Sequence, residues 1–198
     1  NTGPYGNVFI AKISTQGNVI WAIRIGGNAS SCVGQELALS SSGALALTGT
    51  FSGPTDFGGS VMTNVGTVDI YLAQYDTTGA LINAFVPLQY STNGSVSMNC
   101  LALAVDLDGR SFITGYFNGT LSYTGGSLNS SGQVSDGDAF IACVSVQGSI
   151  EWIKQVNTIG QNTSVQGSGL ALDECGNLWA VGRHYGCPTC SLDIDGTI

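Results

Sequence analysis

At 198 residues the chain can form one or two domains with a buried core. Five Lys and Arg against thirteen Asp and Glu give a net charge of −8, which leaves no basic patch for a phosphate backbone and excludes nucleic acid as a partner. Charged residues are only 9% of the total and no apolar run approaches the roughly 20 residues that span a bilayer; short strands and turns, rather than long solvated helices, suit such a composition.

In chain order, the first element is Asn7-Val8-Phe9-Ile10-Ala11-Lys12-Ile13, which passes through a turn at Gly17 into a second apolar run, Asn18 to Ile25. The same stretch returns as Asp69-Ile70-Tyr71-Leu72-Ala73-Gln74-Tyr75 and as Asp138-Ala139-Phe140-Ile141-Ala142-Cys143-Val144, each followed by its own Gly turn and partner run. A second hairpin is repeated more strictly. Leu37 to Gly49, Leu103 to Gly115 and Leu170 to Gly182 align without a gap, and the turn glycines (Gly43, Gly109, Gly176) stand six residues before the closing glycines. Glycine at such a turn supplies the positive φ that a bulged hairpin loop needs. Three repeats result, at approximately 7–68, 69–137 and 138–198 of a single repeat segment, 1–198, with a period of roughly 62 to 69 residues.

The strands carry apolar or small residues on both faces, as in a sheet covered on both sides. Four short strands per repeat, covered twice, fit a β-propeller blade stacked between neighbours. A β-sandwich or a stacked β-solenoid is the rival, but a sandwich need not repeat itself. The run Asp138-Ala139-Phe140-Ile141-Ala142, the Trp152 that follows its turn, and Gly169-Leu170-Ala171-Leu172-Asp173 to Gly176-Asn177-Leu178-Trp179-Ala180-Val181-Gly182 resemble the SBBP-type repeat of seven-bladed β-propellers, found in secreted and surface proteins of bacteria and in some large viruses. The resemblance spans nearly the whole chain, implies the fold, and brings no catalytic residues with it. Asn83 in the Trp position and Cys187-Pro188-Thr189-Cys190 in the last loop depart from the pattern.

The resemblance also implies a phase, with the hairpin that ends in the closing glycine innermost in its blade. Two whole blades, Leu37 to Phe85 and Leu103 to Val156, are then expected between two half-blades. Three blades are too few for a ring. Further repeats of a longer chain, a ring of two chains, or half-blades completing one another between chains would each resolve the open edges. The start at Asn1, without Met or signal peptide, fits either removal of a leader or a piece of something longer.

Alternation puts the tight turns on one face and the long loops on the other. Five Asn-x-Ser/Thr sequons, at Asn28, Asn93, Asn118, Asn129 and Asn162, fall on the long-loop face and are the glycosylation candidates. Of six cysteines, Cys32, Cys100, Cys187 and Cys190 lie towards that face and are the disulfide candidates; Cys175 falls in a tight turn and Cys143 in a strand. His184 with Cys187 and Cys190 makes an incomplete zinc set.

Chemistry is sparse. His184 is the single histidine, and no nucleophile elbow, phosphate loop or dinucleotide fingerprint occurs. Asp106-Leu107-Asp108-Gly109, Asp136-Gly137-Asp138 and Asp193-Ile194-Asp195-Gly196 could ligate calcium or serve as paired carboxylates, but they also read as ordinary turns. Trp21, Trp152 and Trp179 occupy repeat positions and are expected to pack between blades. No catalytic residue, cofactor or metal is therefore expected. The expected role is a non-enzymatic structural or display module of a cell or virus surface, part of a ring, fibre or polymer, whose partners are copies of itself or further repeats. A domain that binds carbohydrate or protein on the long-loop face is the alternative.

Overall fold

A computed structural model describes residues 6–28, 30–91, 98–130, 137–158, 163–186 and 192–194. Among them there is no helix, and every strand pairing is antiparallel. A first hairpin joins β1 (Val8–Ile13) to β2 (Val19–Ile25). Then come β3 (Ser31–Leu39), β4 (Leu45–Ser52), a two-residue pair β5 (Thr55–Asp56) and β6 (Val61–Met62), β7 (Val68–Tyr75) and β8 (Leu81–Ser91). The order is repeated by β9 (Met98–Val105), β10 (Ser111–Phe117), the small hairpin β11 (Thr120–Tyr123) and β12 (Gly126–Asn129), β13 (Asp138–Val144) and β14 (Ile150–Thr158). The hairpin of β15 (Ser164–Leu172) and β16 (Leu178–Tyr185) follows, and then β17 (Leu192–Ile194). Two four-stranded meanders result, β3-β4-β7-β8 and β9-β10-β13-β14, with a lone hairpin before and after them.

The hairpin turns are built alike. Ser14, Ser40, Asp76, Asp106, Ser145 and Asp173 each accept a bond from the amide of a glycine three residues on and donate their own amide to the carbonyl four residues on. Those glycines (Gly17, Gly43, Gly79, Gly109, Gly148, Gly176) have φ between +81° and +88°, the left-handed conformation that the repeat predicts for them. The short polar side chain at the first position adds bonds to the turn amides, as Asp106 Oδ1 does to the amides of Asp108 (3.0 Å) and Arg110 (2.9 Å). Ser, Asp and Gly in these places are therefore backbone chemistry.

The closing glycines have a different cause. None has positive φ; instead each sits opposite a bulge in the partner strand. A Cβ on Gly49 would lie 1.9 Å from the carbonyl oxygen of Val33, one on Gly115 1.9 Å from that of Asn99, and one on Gly182 2.4 Å from that of Gln166. The bulge kinks the first strand of each hairpin against the second so closely that no side chain fits between them. The residue before the closing glycine pins the next strand: Thr48 Oγ1 donates to the Tyr71 carbonyl (2.8 Å) and Thr114 Oγ1 to the Phe140 carbonyl (2.6 Å), both fully buried. In the third copy the position is Val181, on a strand that pairs only with β15 among the described residues.

The sheets stack face on face. One core joins the two meanders, with Ile70, Leu72 and Leu88 of the first meeting Phe140, Ala142 and Val144 of the second. A second core sets Ile10 and Ile25 of the first hairpin against Leu47, Tyr71 and Tyr75. A smaller third sets Val165 of β15 against Ala139 and Val156. Alternate residues of one strand thus serve different interfaces, Tyr71, Ala73 and Tyr75 pointing one way and Ile70 and Leu72 the other. The absence of a polar face in the sequence has this origin.

The long connections hold a device that the repeat did not predict. β11 of the second unit pairs with β8, the outer strand of the first, placing Leu121 opposite Tyr90. β17 likewise pairs with β14, and Asp56 of β5 bridges Gly26 beyond the end of β2. Each connection straps itself onto the outer edge of the preceding sheet, which shields that edge and ties neighbours together.

Substituting Gly115→Ala is expected to cost about 3 kcal/mol, since backbone rather than a movable side chain must yield. Gly176→Ala, strained in φ but with open space around it, should cost only about 1 kcal/mol. Urea denaturation midpoints of the two variants check the ordering. Thr114→Val, which keeps shape and removes the hydroxyl, is expected to cost about 1 kcal/mol by the same measurement.

Candidate functional surfaces

Antiparallel order places all the tight turns at one end of the stack and the connections at the other. At the tight-turn end the loops 106–110 and 172–176 line a shallow acidic cleft. Asp106 is held by its own turn and by Arg110 Nε at 2.7 Å, while Arg110 also reaches Asp108 at 3.6 Å and Glu151 at 3.8 Å. Asp173 accepts the amides of Asn177 (2.8 Å) and Cys175 (3.0 Å), the Asn177 side chain (2.9 Å) and the Trp179 indole (3.3 Å). These bonds, the Asn177 side chain foremost, hold the Asp173 carboxyl below its usual range. Asp76 is lowered similarly, first by the Thr78 hydroxyl. The carboxylates of Asp76, Asp106 and Asp173 are spent on turns, whereas that of Asp108 is exposed. No group of three or more His, Cys, Asp or Glu that could hold a metal occurs among the described residues. Asp136 and Asp195, in the other two acidic clusters, lie outside those residues.

At the connection end, Asn28 is exposed between β2 and β3, and Asn129 is exposed at the end of β12 with its Oδ1 taking a bond from Thr120 (2.8 Å). Asn118 is half-buried, and its carbonyl accepts the Tyr90 hydroxyl. Asn93 and Asn162 lie outside the described residues. The three described sequons therefore share one end of the stack, as alternation requires.

The cysteines are less superficial than their place in the repeat implied. Cys32 and Cys100 are free thiols inside strands β3 and β9, 2% and 0% exposed, and they belong to different cores. Bulges near these strand starts turn the thiols inward, so they fill space between sheets where a brace between loops was expected. Burial raises the Cys32 thiol to about 11 against a partial offset from Tyr71, and the Cys100 thiol to about 12 against a bond from Thr48 Oγ1 at 3.3 Å. Cys143 is buried, as a small apolar residue of β13 should be, and Cys175 is exposed in its turn. Cys187 and Cys190 lie outside the described residues; His184 lies exposed on β16 opposite Val165.

The tryptophans divide. Trp21 lies over Gly79, in the turn of the following sheet, and donates its indole N–H to Thr77 (3.1 Å). Phe85, two residues beyond the Trp position in the second copy, lies over Gly148 in the corresponding turn. Trp152 stacks at a tilt on Phe112, with ring centroids 6.0 Å apart. Trp179 is exposed. The hairpin straps had a sequence signal that repeat alignment could have found: Asp56-Phe57-Gly58-Gly59 stands where Ser122-Tyr123-Thr124-Gly125-Gly126 stands in the next copy.

No protein-family model matches this chain, and no curated protein is similar to it.

A raised thiol pKa keeps the folded state protonated while the unfolded chain ionises. The stabilisation is therefore complete below pH 9 and is lost as pH rises from 9 towards 11 for Cys32 and towards 12 for Cys100. Each should cost about 1 kcal/mol of unfolding free energy at pH 10, read from denaturation at pH 8 and pH 10. In the folded protein at neutral pH, mass-mapped alkylation should label Cys175 well before Cys32, Cys100 or Cys143.

Proposed function

We propose that the chain is a non-enzymatic structural and display module of a cell or particle surface, built from β-propeller-type blades and joined to others like itself. The observation that carries this reading is the use of both faces of each meander. One buries a core against the sheet before it and the other against the sheet after it, through the same alternating positions. The Asp106 and Asp173 carboxylates are committed to backbone amides, and the Cys32 and Cys100 thiols to the cores. Radially stacked four-stranded blades, with the closing-glycine hairpins innermost, account for the repeated bulge on those hairpins and for the straps on the outer edges.

Display is supported by the grouping of sequons at the connection end, where Asn28 and Asn129 are exposed. In an oxidising, secreted setting that end would carry carbohydrate and the tight-turn end would stay bare. Made in a secreting host that glycosylates asparagine, the protein is expected to bear glycans at Asn28 and Asn129, with Asn118 modified least, as peptide mass mapping will read. Cryo-electron microscopy of the native assembly should resolve four-stranded blades stacked side by side. Bare asparagines in such a host would remove the display role, and two closed sheets facing each other would remove the blades.

A further inference from the structure

The contact between the two meanders is a complete interface and serves as a template for the incomplete ones. Its inner half sets Ala46 of β4 against Leu103 and Val105 of β9; its outer half sets β7 and β8 against Phe140, Ala142 and Val144 of β13. Each end of the stack holds a two-stranded hairpin in place of a four-stranded sheet. At the front, β1–β2 pack on Leu45, Leu47 and Phe51 of β4 and on Tyr71 and Tyr75 of β7, and Leu37 and Leu39 of β3 remain 53% and 65% exposed although Leu103, the counterpart of Leu37, is buried. At the back, β15–β16 lie over the second meander, with Val165 packed on Ala139 of β13 and Val156 of β14. Ile141, Val156 and Ile194 line an open groove with Ala180 and His184, and Trp179 and Val181 on the far face of β16 are each 66% exposed.

Resting on the reading of the sheets as blades, we propose that β16 of one copy takes β1 of a second copy as its next strand, so that the two lone hairpins make one four-stranded blade between chains. The register follows from β4 on β7 and β10 on β13: Leu178 would stand opposite Ile13, Ala180 opposite Ala11 and Gly182 opposite Phe9. The aromatic residue in that last pair is the sharpest sign. Tyr71 faces Gly49 and Phe140 faces Gly115, both fully buried, whereas Phe9 is 79% exposed and Gly182 has no partner of this kind among the described residues. Phe9, Ala11 and Ile13 of the second copy then enter the groove over Ile141 and Val156, while Trp179 and Val181 meet its Leu37 and Leu39. Each end supplies what the other lacks. The contact is head-to-tail, so its repetition gives a ring or a filament according to the rotation per copy. Val181 replaces the threonine that pins the strand within a meander, so this junction lacks that buried hydrogen bond and opens more readily than the internal ones.

The test uses the whole 198-residue chain with Cys175→Ser as background. One preparation carries Ala11→Cys and another Ala180→Cys. Mixed and oxidised, they are expected to form a disulfide between positions 11 and 180, as identified by peptide mass mapping; Ala22→Cys in place of Ala11→Cys should not couple. Light scattering should show mass rising with concentration. Phe9→Asp, at a site exposed in the single chain, should abolish both the rise and the cross-link while leaving the circular dichroism and melting temperature unchanged. Single-chain mass at every concentration without the cross-link, or coupling at position 22 in place of 11, overturns the junction. A single chain that nonetheless carries glycans at Asn28 and Asn129 loses only this junction and keeps the display role; assembly through the junction without glycans has the opposite meaning.

Discussion

Sheet-on-sheet burial is the constraint to which the rest of the structure answers. A strand with apolar residues on both faces gains only when another sheet covers each face, and a polar group left between the sheets would cost several times what a single hydrogen bond returns. The chain meets this by alternating the duties of neighbouring residues. Tyr71 and Tyr75 serve the core with the first hairpin, and Ile70 and Leu72 the core with the second meander. Asp69, fully buried, is held by the amides of Val65 (2.6 Å), Gly66 (3.2 Å) and Tyr90 (3.2 Å).

Local devices set the spacing that such stacking requires. The turn with a left-handed glycine fixes each hairpin's register. The bulge opposite the closing glycine draws β3 against β4, β9 against β10 and β15 against β16, at a distance only hydrogen allows. Gly167 shows the same tolerance between sheets, where a Cβ would come within 2.0 Å of Thr114 Oγ1. Turn, bulge and buried threonine recur because each sheet must present the same profile to the next.

How much of this the sequence discloses depends on whether the cause is local. The antiparallel strands, their partners and the six turns are legible, since Gly, Ser and Asp mark backbone conformations directly. The closing glycines are visible as a pattern, but their cause is a carbonyl on another strand, and no turn rule supplies it. The straps escaped because β5 and β17 are two and three residues long and carry little periodicity. Cys32 and Cys100 misled for a related reason: their place in the repeat lies near the connections, while their inward direction is set by bulges that only the paired strands reveal. Asp106 illustrates the reverse, where the ordinary turn chemistry foretold from Asp and Gly is what its Oδ1 is doing.

The two lone hairpins follow from the same constraint. The first hairpin corresponds to the second half of a meander and β15–β16 to the first half. Threonine precedes the closing glycine in β4 and β10, where its hydroxyl bonds the carbonyl of the strand alongside, and valine does so in β16, which pairs only with β15 among the described residues. Exposure of Phe9 at one end and of Trp179 and Val181 at the other is thus the remainder left by a packing rule that elsewhere buries those positions, and a neighbour obeying the rule would remove it at both ends at once.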